Sequence, residues 1–173
     1  AYGYQLGIQY DYPEGKFDQV DKVLFDLKNN TASRRIIAHM YNVADLKDMH
    51  LYPCAYSMTF NVSGNTLNGV LNQRSQDMLA ASNWNVVQYS ILLMMFARAC
   101  GLEAGELVHV VADAHIYDRH VPIVEKLIRN PQYPAPRLIV DSGVNDFYSF
   151  TKDSFVLEDY KYNEFTEKIP VAI

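Results

Sequence analysis

The chain has 173 residues, the length of one domain, and 49% of them are apolar, enough to bury a core. An aromatic content of 13%, thirteen tyrosines included, excludes a disordered chain. A net charge of −5 argues against a nucleic-acid surface while leaving room for a local phosphate pocket. Two cysteines make no disulfide framework, which predicts a reducing, cytoplasmic setting, and the longest apolar run, 91–97, is too short to cross a membrane.

Val20, Val23, Leu24 and Leu27 recur at helical spacing and predict a helix over 18–28, with Asp18 as its N-cap and Asn29-Asn30 as its stop. A strand is predicted over 35–41 (RIIAHMY), then a polar connection at 44–50 with room for one helical turn. Over 56–62 the alternation has period two: Tyr56, Met58, Phe60 and Val62 point one way, and Ser57, Thr59 and Asn61 the other. Gly64-Asn65 supplies a hairpin turn, and 66–74 returns as the partner strand. Cys54 then stands at the entrance of one strand and Arg74 at the exit of the other, ends that antiparallel pairing brings together.

Residues 84–100 form the strongest predicted helix, apolar almost all round (VVQYSILLMMFARAC), which marks a helix buried in a core, with Gly101 as its stop. A strand follows at 107–111, a helix at 121–129 with Pro122 in its first turn, and strands at 137–140 and 155–160. The pattern predicts an α+β fold in a single domain, 1–173: a mixed or antiparallel sheet packed around a long buried central helix.

Several clusters could do chemistry, and each has a plain structural reading beside it. Free cysteine usually packs as a small apolar side chain, which covers Cys54 in LYPCAYS and Cys100 in the long helix. Ser33-Arg34-Arg35 is either solvated charge or an anion site, although neighbours on a strand point to opposite faces. Gln73-Arg74-Ser75-Gln76-Asp77 is an ordinary polar turn or a guanidinium–hydroxyl pair for a phosphate. Asn85, in Asn83-Trp84-Asn85, reads first as a helix cap. His109, His115 and His120 follow a spacing that is no recognised zinc pattern, so no metal is predicted.

Taken in order, SRR, PC, QRSxD, an asparagine at the mouth of the long helix, DxHxY and the final Pro170-Val171-Ala172-Ile173 resemble the thymidylate synthase family. The resemblance runs from AYGYQLG to PVAI. It implies reductive methylation of dUMP to dTMP, with 5,10-methylenetetrahydrofolate giving both carbon and hydride, by a homodimer without metal, nucleic acid or membrane. It makes Cys54 the nucleophile at C6 of the uracil ring; the reacting form is the thiolate, which arginine charge favours. It gives Arg74 contact with both phosphate and cysteine, and places Ser75 and Gln76 with the nucleotide. Arg34 and Arg35 would reach the partner's site. Asn85 would read the uracil edge, His115 and Tyr117 would hold the ribose, and Tyr2 would assist proton removal at C5. Asp77 would serve nucleotide, catalysis and pterin, and Ala81, Ala172 and Ile173 would lie on the folate side.

Four departures from the family pattern bear on the folate pocket: Ala55 for histidine, Ala81 and Ala112 for glycine, and the pair Asn83-Trp84 for Pro-Phe. The opening AYGYQLG, without cap or initiator methionine, predicts that the family's N-terminal segment is missing here. That segment supplies another phosphate arginine, a catalytic glutamate and part of the folate wall. A pyrimidine-nucleotide hydroxymethylase and an inactive nucleotide-binding or dimerising fragment are the competing expectations.

Overall fold

A computed structural model describes residues 2–171. The chain opens with a short helix, α1 (Tyr2–Leu6), and a hairpin of β1 (Tyr10–Tyr12) and β2 (Gly15–Phe17). Neither is long enough to register as a hydrophobic period. Helix α2 (Gln19–Asn29) begins as its sequence dictates: the Asp18 carboxylate accepts from Asp21 N at 2.8 Å, and Asn30 caps the far end. The buried Gln19 at its start ties three segments together. Its Nε2 donates to Gln5 O (2.9 Å) and His39 O (2.8 Å), and its Oε1 accepts from His39 N. This anchor fixes α1 against the sheet.

The main sheet has the order β3 (Ile37–His39), β4 (Ala55–Ser63), β5 (Thr66–Gln73), β7 (Glu103–Val111). Strand β3 spans Ile37–His39, shorter than 35–41, because only these residues pair with β4 (Ala55–Ser63). The connection at Val43–Asp48 is a 3₁₀ turn capped by Asn42. Gly64, at φ 61°, makes the hairpin turn to β5 (Thr66–Gln73).

The alternation expected over 56–62 holds from Met58 onward but fails at Tyr56. A bulge between Ala55 and Ser57 inserts Tyr56 as an extra residue, turning its ring outward and burying Ser57.

After β5 comes β6 (Gln76–Asp77), then α3 (Ser82–Ala99), β7 (Glu103–Val111) and β8 (Ala114–His115). Strand β7 runs parallel to β5, and β8 parallel to β6, with α3 as the crossover. Helix α3 ends in a Schellman motif: Gly101 sits at φ 69°, its N–H donates to Arg98 O, and Leu102 N–H donates to Ala97 O at 2.8 Å. The chain closes with α4 (Val121–Leu127), which carries Pro122 in its first turn, and an antiparallel pair of β9 (Arg137–Val140) and β10 (Phe155–Glu158).

Helix α3 is not buried all round. Asn85, Tyr89, Leu93, Phe96 and Ala97 form its one buried stripe, packed on the sheet's Met58–Leu71 face, while Trp84 is 76% and Val87 54% exposed. A helix without a polar face shows no preferred side in sequence; only the sheet chooses one. Phe96 packs 5.2 Å from Phe60 and 4.7 Å from Phe147, centroid to centroid. Phe96→Ala is expected to lower folding stability by about 3–5 kcal/mol, measurable as a lower urea midpoint.

Among the described residues, none covers the opposite sheet face. Ile37, Thr59, Val70 and Val108 lie in one cross-strand row, and Ile37, Tyr56, Val108 and Val110 are exposed.

Candidate active site

The entrance of β4 and the exit of β5 meet as hairpin geometry requires. Ala55 pairs with Gln73, and Arg74 N donates to Cys54 O at 2.8 Å. The Arg74 side chain folds back across this junction. Its Nε donates to Pro53 O (3.0 Å), and its Nη2 donates to Tyr52 O (2.9 Å) and stands 3.9 Å from Cys54 Sγ. Two backbone carbonyls thus hold the guanidinium beside the thiol, and Nη1 has no protein partner among the described residues. Tyr2, delivered by the anchored α1, accepts from Ala55 N through its hydroxyl at 3.2 Å. Tyr2, Met49, Leu51 and Cys54 help line a cavity of about 280 Å³, and Arg74, Tyr41 and His50 line a neighbouring one of about 520 Å³.

The ladder between β5 and β7 breaks beyond Gln73 and resumes in β6 and β8. Ala112 N donates to Gln73 O (2.9 Å), and Gln76 N donates to Asp113 O (2.8 Å). Arg74 and the half-buried Ser75 occupy the break. Asp77 pairs with His115 across the short parallel ladder, so DxHxY lies beside QRSxD. The Asp77 carboxylate accepts from Leu79 N (3.0 Å) and Ala80 N (3.1 Å), shaping the turn into α3. His115 meets Tyr117 edge to face at 5.0 Å, and its buried Nδ1, 3.7 Å from Asp113 Oδ2, has no hydrogen-bond partner among the described residues.

Asn85 is not the helix cap. Ala81 holds that position without a side-chain bond, while Asn85 sits one turn inside α3, buried at 9% exposure. Arg34 and Arg35 precede β3 rather than lying on it, so strand alternation does not separate them. Both are exposed and line another cavity, of about 530 Å³, with Tyr12, Lys22 and Asp26, apart from Cys54. Ala172 and Ile173 lie outside the described residues. The preceding carbonyls are tied down, Pro170 O by His120 Nε2 (2.8 Å) and Val171 O by Arg119 Nη1 (2.7 Å).

The three histidines have separate neighbours, and no group of three metal-binding side chains occurs among the described residues. Both cysteines are free. Cys100, at the C-cap of α3, packs half-buried against the core as expected, and burial pushes its thiol pKa up and disfavours the thiolate. No helix among the described residues is long and apolar enough to cross a membrane.

The sequence placed Gln73 in a polar cluster and weighed His109 only as a metal ligand, giving neither a role in the site; the two hydrogen-bond to each other beside the Arg74–Ser75 break. A signal for Gln73 was present: it continues the buried parity of Leu67, Leu71 and Gly69 with a polar side chain.

This arrangement defines a class: an α+β domain whose mixed sheet ends in a cysteine held against an arginine. The thymidylate synthase family model matches residues 1–173, and the chain belongs to that family. It is 40% identical over 165 residues to the thymidylate synthases of Bacillus licheniformis and Bacillus phage phi3T, covering 95% of this chain and 59% of each of theirs. The chain therefore spans about three fifths of the length of these relatives. The solved structure of a thermostable thymidylate synthase A from Bacillus subtilis matches with a TM-score of 0.91 at 38% identity, over 97% of this chain and 61% of that one.

Proposed function

We propose that the chain, as a single domain, carries the nucleotide-binding and nucleophilic half of a thymidylate synthase, converting dUMP to dTMP. The observation that carries this reading is the Arg74 guanidinium, fixed by Tyr52 and Pro53 carbonyls with Nη2 3.9 Å from Cys54 Sγ. A thiolate there adds to C6 of the uracil ring and makes C5 a nucleophilic carbon. Arg74 turns its remaining donors, with the Ser75 hydroxyl and Gln76, to the nucleotide phosphate side. Asn85 accepts from N3–H and donates to O4, which its buried place and missing cap bond leave it free to do. His115 and Tyr117 hold the ribose hydroxyl, and Tyr2 assists proton removal at C5 from the wall it shares with Cys54.

5,10-Methylenetetrahydrofolate supplies the carbon and the hydride. The residues around the head of α3 fit such a group: Asp77 offers a polar edge, and exposed Met78, Trp84 and Val87 offer apolar surface to a flat heterocycle. Asp77 and Ala81 belong to that side. The protein acts as a homodimer in the cytoplasm, a reading supported by the uncovered apolar sheet face and two free cysteines. Incubation with 5-fluoro-dUMP and methylenetetrahydrofolate is expected to place a covalent adduct on Cys54, read by peptide mass spectrometry; an adduct on Cys100 alone would sink the mechanism.

Arg34 and Arg35 complete the neighbour's site in this dimer. Their exposed position apart from Cys54 supports that reading. An Arg34→Ala/Arg35→Ala subunit mixed with a Cys54→Ser subunit is expected to regain activity, because one site of the mixed dimer then carries neither defect. A mixture no more active than either parent, with subunit exchange demonstrated, would remove both arginines from the site.

A further inference from the structure

We infer that His109 is a positioning residue for the turn bearing Arg74 and Ser75, acting through the carboxamide of Gln73. The inference rests on the reading of that turn as the phosphate site. Residues 74 and 75 fall in the gap between two parallel ladders, so Ser75 O has no strand partner. The Gln73 side chain takes the strand's place: its Nε2 donates to Ser75 O at 2.8 Å and to Gln76 Oε1. Both partners are acceptors, so the amide must turn its NH₂ toward the turn and its oxygen away.

That oxygen lies 2.9 Å from His109 Nε2, on the neighbouring strand β7. Only a protonated Nε2 can donate to it, which selects one histidine tautomer. Burial lowers the His109 pKa and favours the neutral imidazole, whose single N–H is then used here. Gln73 and Gln76 are each only 2% exposed, so water offers no easy substitute donor. Without His109 the Gln73 oxygen is left unpaired, the amide can swing, and Ser75 O loses the bond that sets its place. The predicted defect is in gripping the phosphate, not the base.

The test compares dissociation constants for dUMP and for deoxyuridine, which lacks the phosphate, in the natural protein and its His109→Leu and His109→Gln variants. His109→Leu is expected to weaken dUMP by about tenfold, equivalent to about 1.4 kcal/mol. Deoxyuridine affinity should stay the same, and His109→Gln, which keeps an N–H donor, should recover most of the loss. A general structural role would weaken both ligands together. An unchanged ratio of dUMP to deoxyuridine affinity in His109→Leu overturns the inference, as does an equal loss for both ligands. Should the leucine variant not fold, His109→Asn, whose shorter amide falls out of reach, is judged by the same ratio. A wild type that does not prefer dUMP to deoxyuridine defeats the phosphate reading itself, and the inference with it; that result is visible before any variant is made.

Discussion

Cys54→Ser is expected to lower kcat by on the order of 10⁴-fold or more, as loss of a covalent nucleophile does, with dUMP binding largely intact. A serine hydroxyl at the same place is a far weaker nucleophile than a thiolate at neutral pH. Binding survives because Arg74 is held by Tyr52 and Pro53 carbonyls, neither of which involves the sulfur. Cys100 offers no replacement: it sits at the far end of α3 with its thiolate disfavoured by burial. Steady-state turnover and equilibrium dUMP binding, measured on the same preparations, check both halves. Full activity in the serine variant would end the proposed mechanism; lost binding with lost turnover would show that the thiol also shapes the nucleotide site.

Asn85→Asp is expected to shift the ratio of kcat/KM for dUMP over dCMP toward dCMP, by up to about 10⁴-fold in the best case. On the proposed reading, the asparagine amide accepts from N3–H and donates to O4 of uracil, whereas cytosine presents an acceptor at N3 and a donor at N4. A buried site built for one pattern leaves groups unpaired with the other. A carboxyl group can accept from the cytosine amine and, when protonated, donate to N3. Four kcat/KM values decide the matter, one per nucleotide for wild type and variant. A wild type that prefers dCMP, or a ratio untouched by the substitution, would remove Asn85 from base recognition. A plain capping role is already excluded, because Ala81 holds the cap position.

Local chemistry was legible. The Asp18 cap and the Asn30 stop of α2 lie within the same few residues that form the helix, so short-range rules suffice. Register counting from the Gly64-Asn65 turn likewise brings Cys54 and Arg74 to one end of the hairpin. The ordered motifs carried the family resemblance, because chemistry constrains residue type at spacings that survive along the chain.

The sequence by itself determined that these residues share one α+β chain and that the thiol and guanidinium meet at a hairpin's open end. Tertiary structure decided how they meet. The Tyr56 bulge shifts the register by one residue, which sets Arg74 rather than Ser75 opposite Cys54; no local pattern marks that extra residue. The exposed side of α3 depended on which stripe the sheet covered, since an almost uniformly apolar helix carries no preference of its own. Asn85 became a buried, uncapping amide only because α3 begins at Ser82, a full turn earlier than Asn85. His109 reached Gln73 across 36 positions of sequence, through the parallel pairing of β5 and β7, and hydrogen bonds between strands so far apart are fixed by topology rather than by neighbouring residues.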